Sequence, residues 1–89
     1  MIVSFANKNT LVTRNWSPDI QRRVLRRLLL IHSAEEIDDL RIPPGNELEN
    51  ININLMEYWT VNINDQWQII FRWIDNNAHD VGIIGFQQK

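Results

Sequence analysis

The spacing of apolar residues along the chain predicts a helical segment near the N-terminus. Residues 17–19 (Ser-Pro-Asp) are typical of a helix start, with Ser at the N-cap and Pro at the first helical position. Residues 33–36 fit a capping box, so a short second helix is expected after His32, and residues 42–46 are expected to end it. The first helix should bury one apolar stripe, made of Ile20, Val24, Leu25, Leu28 and Ile31.

From residue 58 onward apolar and polar residues alternate, which predicts strands rather than helices. Trp59 begins the first alternating run, residues 67–73 form its hairpin partner, and residues 81–86 form the last strand. A short first strand is expected over residues 1–5. The pattern predicts an α+β domain over residues 1–89, in which an N-terminal strand and helices pack on one face of a small antiparallel sheet that ends in a three-strand meander.

The alternation also predicts what each face of the sheet does. Trp59, Trp67 and Trp73 should be buried against the helices, because aromatic residues that alternate within strands belong to cores more often than to base-stacking surfaces. Gln68 and Arg72 should then lie on the outward face.

Composition narrows the class of protein. A chain of 89 residues holds one domain, and the lack of Cys excludes disulfides, zinc–thiolate sites and thiol catalysis. The N-terminus does not resemble a signal peptide, and the longest apolar run, residues 28–31, is too short to span a bilayer. A cytoplasmic protein without a membrane partner is therefore expected.

The net charge of −2 is unevenly distributed. Residues 1–41 contain seven Lys or Arg and five Asp or Glu, a balance of +2, whereas residues 42–89 contain two basic and six acidic residues, a balance of −4. A dedicated RNA-binding surface is expected to be basic where it meets phosphate. The acidic second half therefore counts against extensive RNA contact there.

Two motifs resemble those of HigB-type toxins, the plasmid maintenance system killer proteins of the RelE/ParE superfamily. Residues 40–49 (LRIPPGNELE) resemble that family's Leu-x-x-Pro-Pro-Gly-Asn-x-Leu-Glu segment, and residues 62–73 (NINDQWQIIFRW) resemble its INDQWRICFRW hairpin. The order of predicted elements matches across nearly the whole chain. The resemblance implies a RelE/ParE-like fold and the toxin of a type II toxin–antitoxin pair. Active members cleave messenger RNA in the ribosomal A site without a metal or cofactor, and a helix-turn-helix antitoxin encoded beside the toxin neutralises them.

Cleavage by a ribose 2′-hydroxyl needs a base, a proton donor and cations that stabilise charge on the phosphate. The family supplies lysines before the meander, arginines on the outward strand face and a C-terminal Asp-Tyr-His. In this chain Arg72 is retained, but Gln68 replaces an Arg, and residues 85–87 (Gly-Phe-Gln) replace the ending. Asn52 stands where a Lys is usual and Glu57 where a Gly is usual. The resemblance thus assigns the catalytic positions to Arg72, Gln68 and Gln87, most of them without titratable groups.

Other residues have a functional and a plain interpretation. The first helix carries four arginines that could contact ribosomal RNA or an acidic antitoxin segment, or could simply be solvated. His79 could replace the missing base, although a surface residue without a role is the simpler interpretation; His32 most simply complements the helix dipole. The expected RNA- or ribosome-binding residues are Arg22, Arg23, Arg26, Arg27, Asn52 and Lys89.

Two functions from different classes remain open. The chain is either a toxin of the ribosome-dependent mRNA endoribonuclease family, neutralised by its antitoxin, or a catalytically impaired homologue that acts as an antitoxin-binding or regulatory module. A toxin with a different target is a third reading, because function depends on sites rather than folds. Loss of toxicity in Arg72→Ala would favour the first, and harmless overexpression together with a bound partner would favour the second.

Overall fold

The computed structural model describes residues 1–6 and 16–85, which form one α-helix packed on a four-stranded antiparallel sheet. The expected α+β architecture is confirmed. Helix α1 spans Pro18–Ser33 and is followed by two short 3₁₀ helices, Ile37–Arg41 and Pro44–Asn46. The strands lie in chain order within the sheet: β1 Glu49–Ile53, β2 Met56–Asn62, β3 Trp67–Ile74 and β4 Asn77–Gly85. No helix in the described ranges is long and apolar enough to cross a membrane.

Helix α1 begins where the sequence predicts. The Ser17 hydroxyl accepts the backbone N–H of Ile20 at 3.3 Å, and Pro18 occupies the first turn, where no amide is needed. The helix buries Val24, Leu28 and Ile31, but the expectation for Leu25 was wrong, since this side chain is 58% exposed. A helix turns by about 100° per residue, so Leu25 lies about 100° around the helix from Val24, outside the face that packs on the sheet.

The capping box lies three residues later than expected. Ser33 completes the last turn of α1, so it does not serve as an N-cap. Instead the Asp39 carboxylate accepts the backbone N–H groups of Glu35 at 2.9 Å and Glu36 at 3.1 Å. The short helix therefore begins at Ile37, and it is a 3₁₀ helix.

The Pro-Pro-Gly-Asn motif has a structural role. Its Asn46 is 1% exposed, and the side-chain amide donates to the Leu40 carbonyl at 3.1 Å. This bond joins the two 3₁₀ helices across the turn made by the prolines. The motif therefore fixes the path of the chain from the helical layer into the sheet.

The sheet contains one strand more than the predicted meander. Residues 51–57, which precede the predicted meander, form a hairpin in which Asn52 of β1 pairs with Glu57 of β2. Its turn residues, Asn54 and Leu55, both have positive φ, and sequence reasoning missed this turn because it contains no glycine. A similar two-residue turn at residues 75–76 starts β4 at Asn77, four residues before the predicted strand.

The core lies between α1 and one face of the sheet. Trp59, Trp67 and Trp73 are half-buried against it, as expected of core rather than base-stacking residues. The N-terminal segment pairs in parallel with β4 through the bridges Ile2–Ala78 and Phe5–Val81, so the predicted first strand forms only isolated bridges. The buried cluster comprises Val24, Leu28, Ile31, Ala34, Leu40, Val61, Ile63, Ile69, Phe71, Ala78 and Val81.

Candidate functional site

A β-bulge shapes the outward face of the sheet. The pairing of β3 with β4 shifts from Ile70–Gly82 to Arg72–His79, so β4 has one residue more than β3 over this interval. Within the bulge Asp80 adopts a left-handed backbone conformation, with φ of 54°. Bulges change the direction in which side chains point. Here the bulge brings two polar residues of β4, His79 and Asp80, beside Arg72.

Arg72 and Asp80 form an ion pair. The guanidinium Nη1 lies 3.8 Å from the carboxylate Oδ2, and the side chains are 32% and 52% exposed. The Ser4 hydroxyl accepts the backbone N–H of Asp80 at 2.9 Å, which ties the bulge to the N-terminal segment. A partly exposed pair of this kind contributes at most about 1 kcal/mol. A phosphate group can therefore compete with Asp80 for Arg72.

His79 is the imidazole that the fold places next to the retained arginine. It lies directly opposite Arg72 on the neighbouring strand and is half-buried. Side chains of directly paired residues project from the same face, with Cβ atoms about 4.5–5.5 Å apart. The outward face thus carries a guanidinium and an imidazole on directly paired residues.

Of the predicted catalytic residues, the structure describes Arg72 and Gln68, and these two do not lie close together. Gln68 lies four residues from Arg72 on the same face of β3, a separation of about 13 Å along an extended strand. It pairs with Asn62 and Ile84 instead. Gln87 and Lys89 lie outside the described residues.

The four arginines of α1 separate into different environments. Arg22 and Arg23 share Asp19, at 3.5 and 3.9 Å, and both are exposed, as is Arg26. Arg27 is half-buried, and its Nε donates to the Asn62 carbonyl at 3.0 Å. Burial lowers the pKa of Arg27, and the nearby charges of Arg23 and Arg26 lower it further. Arg27 therefore contributes to packing between α1 and β2.

The expected RNA-binding residues that the structure describes do not form one surface with Arg72. Because α1 covers the core face of the sheet, its exposed arginines point away from the sheet, whereas Arg72 projects from the opposite face. Asn52 is exposed on β1, across from Glu57. The arginines of the helix and Arg72 thus lie on opposite sides of a two-layer molecule.

Sequence reasoning did not single out Asp80. The signal was weak, because an Asp that follows a His in a strand looks like an ordinary polar residue. Asp adopts positive φ more readily than most residues, but that preference becomes informative only once the bulge is known. Within residues 1–6 and 16–85, no three His, Asp or Glu side chains cluster in a way that would hold a metal ion.

Comparison with known proteins finds one matching family and two related proteins. A family model described as RelE-like toxin of type II toxin–antitoxin system HigB matches residues 5–83. Toxin HigB-1 of Vibrio cholerae serotype O1 is 37% identical over 59 residues, which cover 66% of this chain and 62% of that protein. An uncharacterized protein of Haemophilus influenzae is 29% identical over 63 residues, which cover 71% of this chain and 62% of that protein. The similarity thus spans less than two thirds of either relative.

Proposed function

The chain belongs to the HigB-like family of RelE-like toxins of type II toxin–antitoxin systems, and on that premise we propose that it cleaves messenger RNA on the ribosome in the cytoplasm. We further propose that a cognate helix-turn-helix antitoxin binds and neutralises it. The observation that carries the proposal is the pairing of Arg72 with His79 on the outward sheet face.

The proposed reaction uses only side chains and the RNA itself. His79 removes the proton from a ribose 2′-hydroxyl, and the 2′-oxygen attacks the adjacent phosphorus. The bond from phosphorus to the 5′-oxygen breaks, and that oxygen takes a proton from solvent. The products are a 2′,3′-cyclic phosphate and a 5′-hydroxyl end. Arg72 stabilises the negative charge that accumulates on the phosphoryl oxygens during this displacement.

The charge around the site explains why the ribosome is part of the proposal. Asp80 compensates part of the charge of Arg72, and residues 42–89 carry a balance of −4 from two basic and six acidic residues. Free RNA should therefore bind this face weakly. A ribosome already holds messenger RNA in a fixed position. The contacts between the toxin and the RNA therefore need to supply less binding energy.

A second candidate function follows from the same ion pair. If Asp80 keeps Arg72 from phosphate, residues 1–6 and 16–85 leave no free cation on the outward face at the scissile group, and Gln68 is too far away to help. The chain would then bind its antitoxin and regulate without cutting RNA.

The experiment that tests the proposal maps messenger RNA ends by primer extension during translation in vitro. Wild type, Arg72→Ala and His79→Ala are compared with Arg41→Ala, a control that removes an exposed arginine from the ion pair with Asp38 at 2.9 Å. Ribosome-dependent cleavage by wild type and Arg41→Ala, with strong loss in the other two, supports the proposal. Equal cleavage by all four proteins contradicts the assigned site.

No cleavage by wild type, under conditions where an active family member cuts, favours the binding function. Growth inhibition that persists without any cleavage points to a different target. Co-purification of an antitoxin tests the partner proposal separately from the chemistry.

A further inference from the structure

The face of α1 that points away from the sheet carries leucines between its arginines. Arg22, Leu25, Arg26 and Leu29, here called the outer α1 stripe, follow the spacing i, i+3, i+4, i+7 and therefore share one side of the helix. Leu25 is 58% exposed and Leu29 is 65% exposed. The two leucines are four residues apart, so their side chains are neighbours.

Within the part of the chain that the structure describes, neither leucine belongs to the core cluster or packs against it. The buried residues of α1 are Val24, Leu28 and Ile31, on the opposite side of the helix. A surface helix ordinarily carries polar residues on its outward face. Neighbouring exposed apolar side chains with charged residues around them are typical of a surface that meets another protein.

The stripe suits a protein better than RNA. Phosphate groups bind to surfaces that carry cations and hydrogen-bond donors. The two aliphatic side chains between the arginines provide neither. A protein segment can use both features of the stripe, because its apolar side chains pack on the leucines while its carboxylates pair with the arginines.

We propose that the outer α1 stripe binds an acidic amphipathic segment of the antitoxin. Apolar side chains of that segment pack against Leu25 and Leu29, and its Asp or Glu residues pair with Arg22 and Arg26. The sign of the partner's charge follows from the arginines at the stripe. The inference rests on the proposed function only in that it takes the partner to be the antitoxin.

The test uses the full chain and the protein encoded by the gene beside its own, with affinity measured by titration calorimetry. Leu25→Glu combined with Leu29→Glu should weaken binding by about 30-fold or more, because truncated anchor residues at interfaces typically cost 2 kcal/mol or more. The matched control is Leu55→Glu, which adds the same charge at a leucine that is 101% exposed in the β1–β2 turn. This control should bind as wild type does.

A second pair of variants tests the role of charge. Arg22→Glu combined with Arg26→Glu should weaken binding by roughly tenfold or more at low salt, and less at high salt, because exposed charge pairs are screened. Arg41→Glu is the control, since this arginine is exposed and outside the stripe. Leu25→Ala combined with Leu29→Ala removes the apolar contacts without introducing charge, and thermal unfolding establishes that each variant is folded.

The outcomes separate this inference from the proposed function. Tight binding by wild type that the leucine variants leave unchanged would show an antitoxin docked elsewhere, and would overturn the stripe alone. If the arginine variants lose ribosome binding while the leucine variants still bind the partner, the stripe contacts RNA and the proposal is wrong. No binding by wild type would overturn the antitoxin pairing, and the stripe proposal with it.

Discussion

The outward sheet face and the outer α1 stripe both carry arginine, but the residues that surround the arginine differ. On the outward sheet face Arg72 lies beside an imidazole and a carboxylate, His79 and Asp80. On the outer α1 stripe the arginines alternate with two exposed leucines. A guanidinium that is paired with a carboxylate can exchange that carboxylate for a phosphate group, and the neighbouring imidazole can then act as a base. A guanidinium beside aliphatic groups suits a partner that is itself partly apolar.

This difference shows that the number of positive charges does not identify an RNA-binding surface. Residues 1–41 carry most of the basic residues, seven against two in the remainder, yet the proposed chemistry lies in the acidic half. The neighbours of each arginine decide what it can bind. The following predictions test that separation between the two sides.

The largest effect is expected from His79→Gln, measured as the single-turnover rate of messenger RNA cleavage on ribosomes. Gln keeps hydrogen-bonding capacity but does not titrate, so loss of general base catalysis should slow cleavage by about 10²–10⁴-fold. His32→Gln is the control, since His32 lies at the end of α1 and its Nδ1 accepts the Ile2 N–H at 3.2 Å. A rate for His79→Gln within a factor of three of that control would remove His79 from the reaction.

The second prediction compares two leucines of α1 by urea unfolding. Leu28→Ala should lower the free energy of unfolding by about 2–5 kcal/mol, because the side chain is 7% exposed and its removal leaves a cavity. Leu25→Ala should change it by less than about 0.5 kcal/mol, because Leu25 contributes to the surface and not to the core. A large loss in Leu25→Ala would mean that Leu25 stabilises the fold, and the argument for a docking surface would fail.

A smaller effect, on thermal stability, is expected at Leu55. This residue is exposed in the β1–β2 turn and lies outside the outer α1 stripe. This residue has φ of 67°, a conformation that costs an L-residue roughly 1–2 kcal/mol. Leu55→Gly relieves that strain but adds backbone freedom to the unfolded chain, so a net stabilisation of up to about 1 kcal/mol is expected. Thermal unfolding should show a rise in Tm of several degrees, and a fall in Tm would show that the turn is not strained.

The smallest effect is expected from Asp80→Asn, which removes the carboxylate charge and keeps a side chain that tolerates positive φ. Freed from its ion pair, Arg72 should bind phosphate more tightly, which should lower the KM for ribosome-bound messenger RNA by up to about fivefold. Asp38→Asn, which frees Arg41, is the matched control. A higher KM for Asp80→Asn would mean that Asp80 holds Arg72 in its active position and does not compete with RNA.

The sequence predicted those parts of the fold that depend on local signals. The start of α1 follows from the Ser-Pro-Asp sequence, and the inward-facing residues Ile69 and Phe71 follow from alternation within β3. Strand β1 was missed because its turn uses Asn54 and Leu55 in place of the usual glycine. The exposure of Leu25 depends on the width of the contact between α1 and the sheet, which helical spacing does not give.

The candidate site was predicted only in part, because its geometry depends on pairing between strands. Arg72 could be identified from a motif, and alternation placed it on the outward face. The position of His79 opposite Arg72 depends on the register of β3 and β4, and the proximity of Asp80 depends on a bulge. Neither feature leaves a signal in the neighbouring residues, so both required the structure.

The most direct test of the separation between the two sides is cross-linking on a stalled ribosome. The messenger RNA would carry 4-thiouridine next to the mapped cleavage position and a 2′-deoxy sugar at that position, which lacks the attacking hydroxyl. After irradiation, mass spectrometry would locate the cross-linked residues. Cross-links within residues 68–84 of β3 and β4, and none on α1, are the predicted result. Cross-links concentrated on the outer α1 stripe would contradict the account.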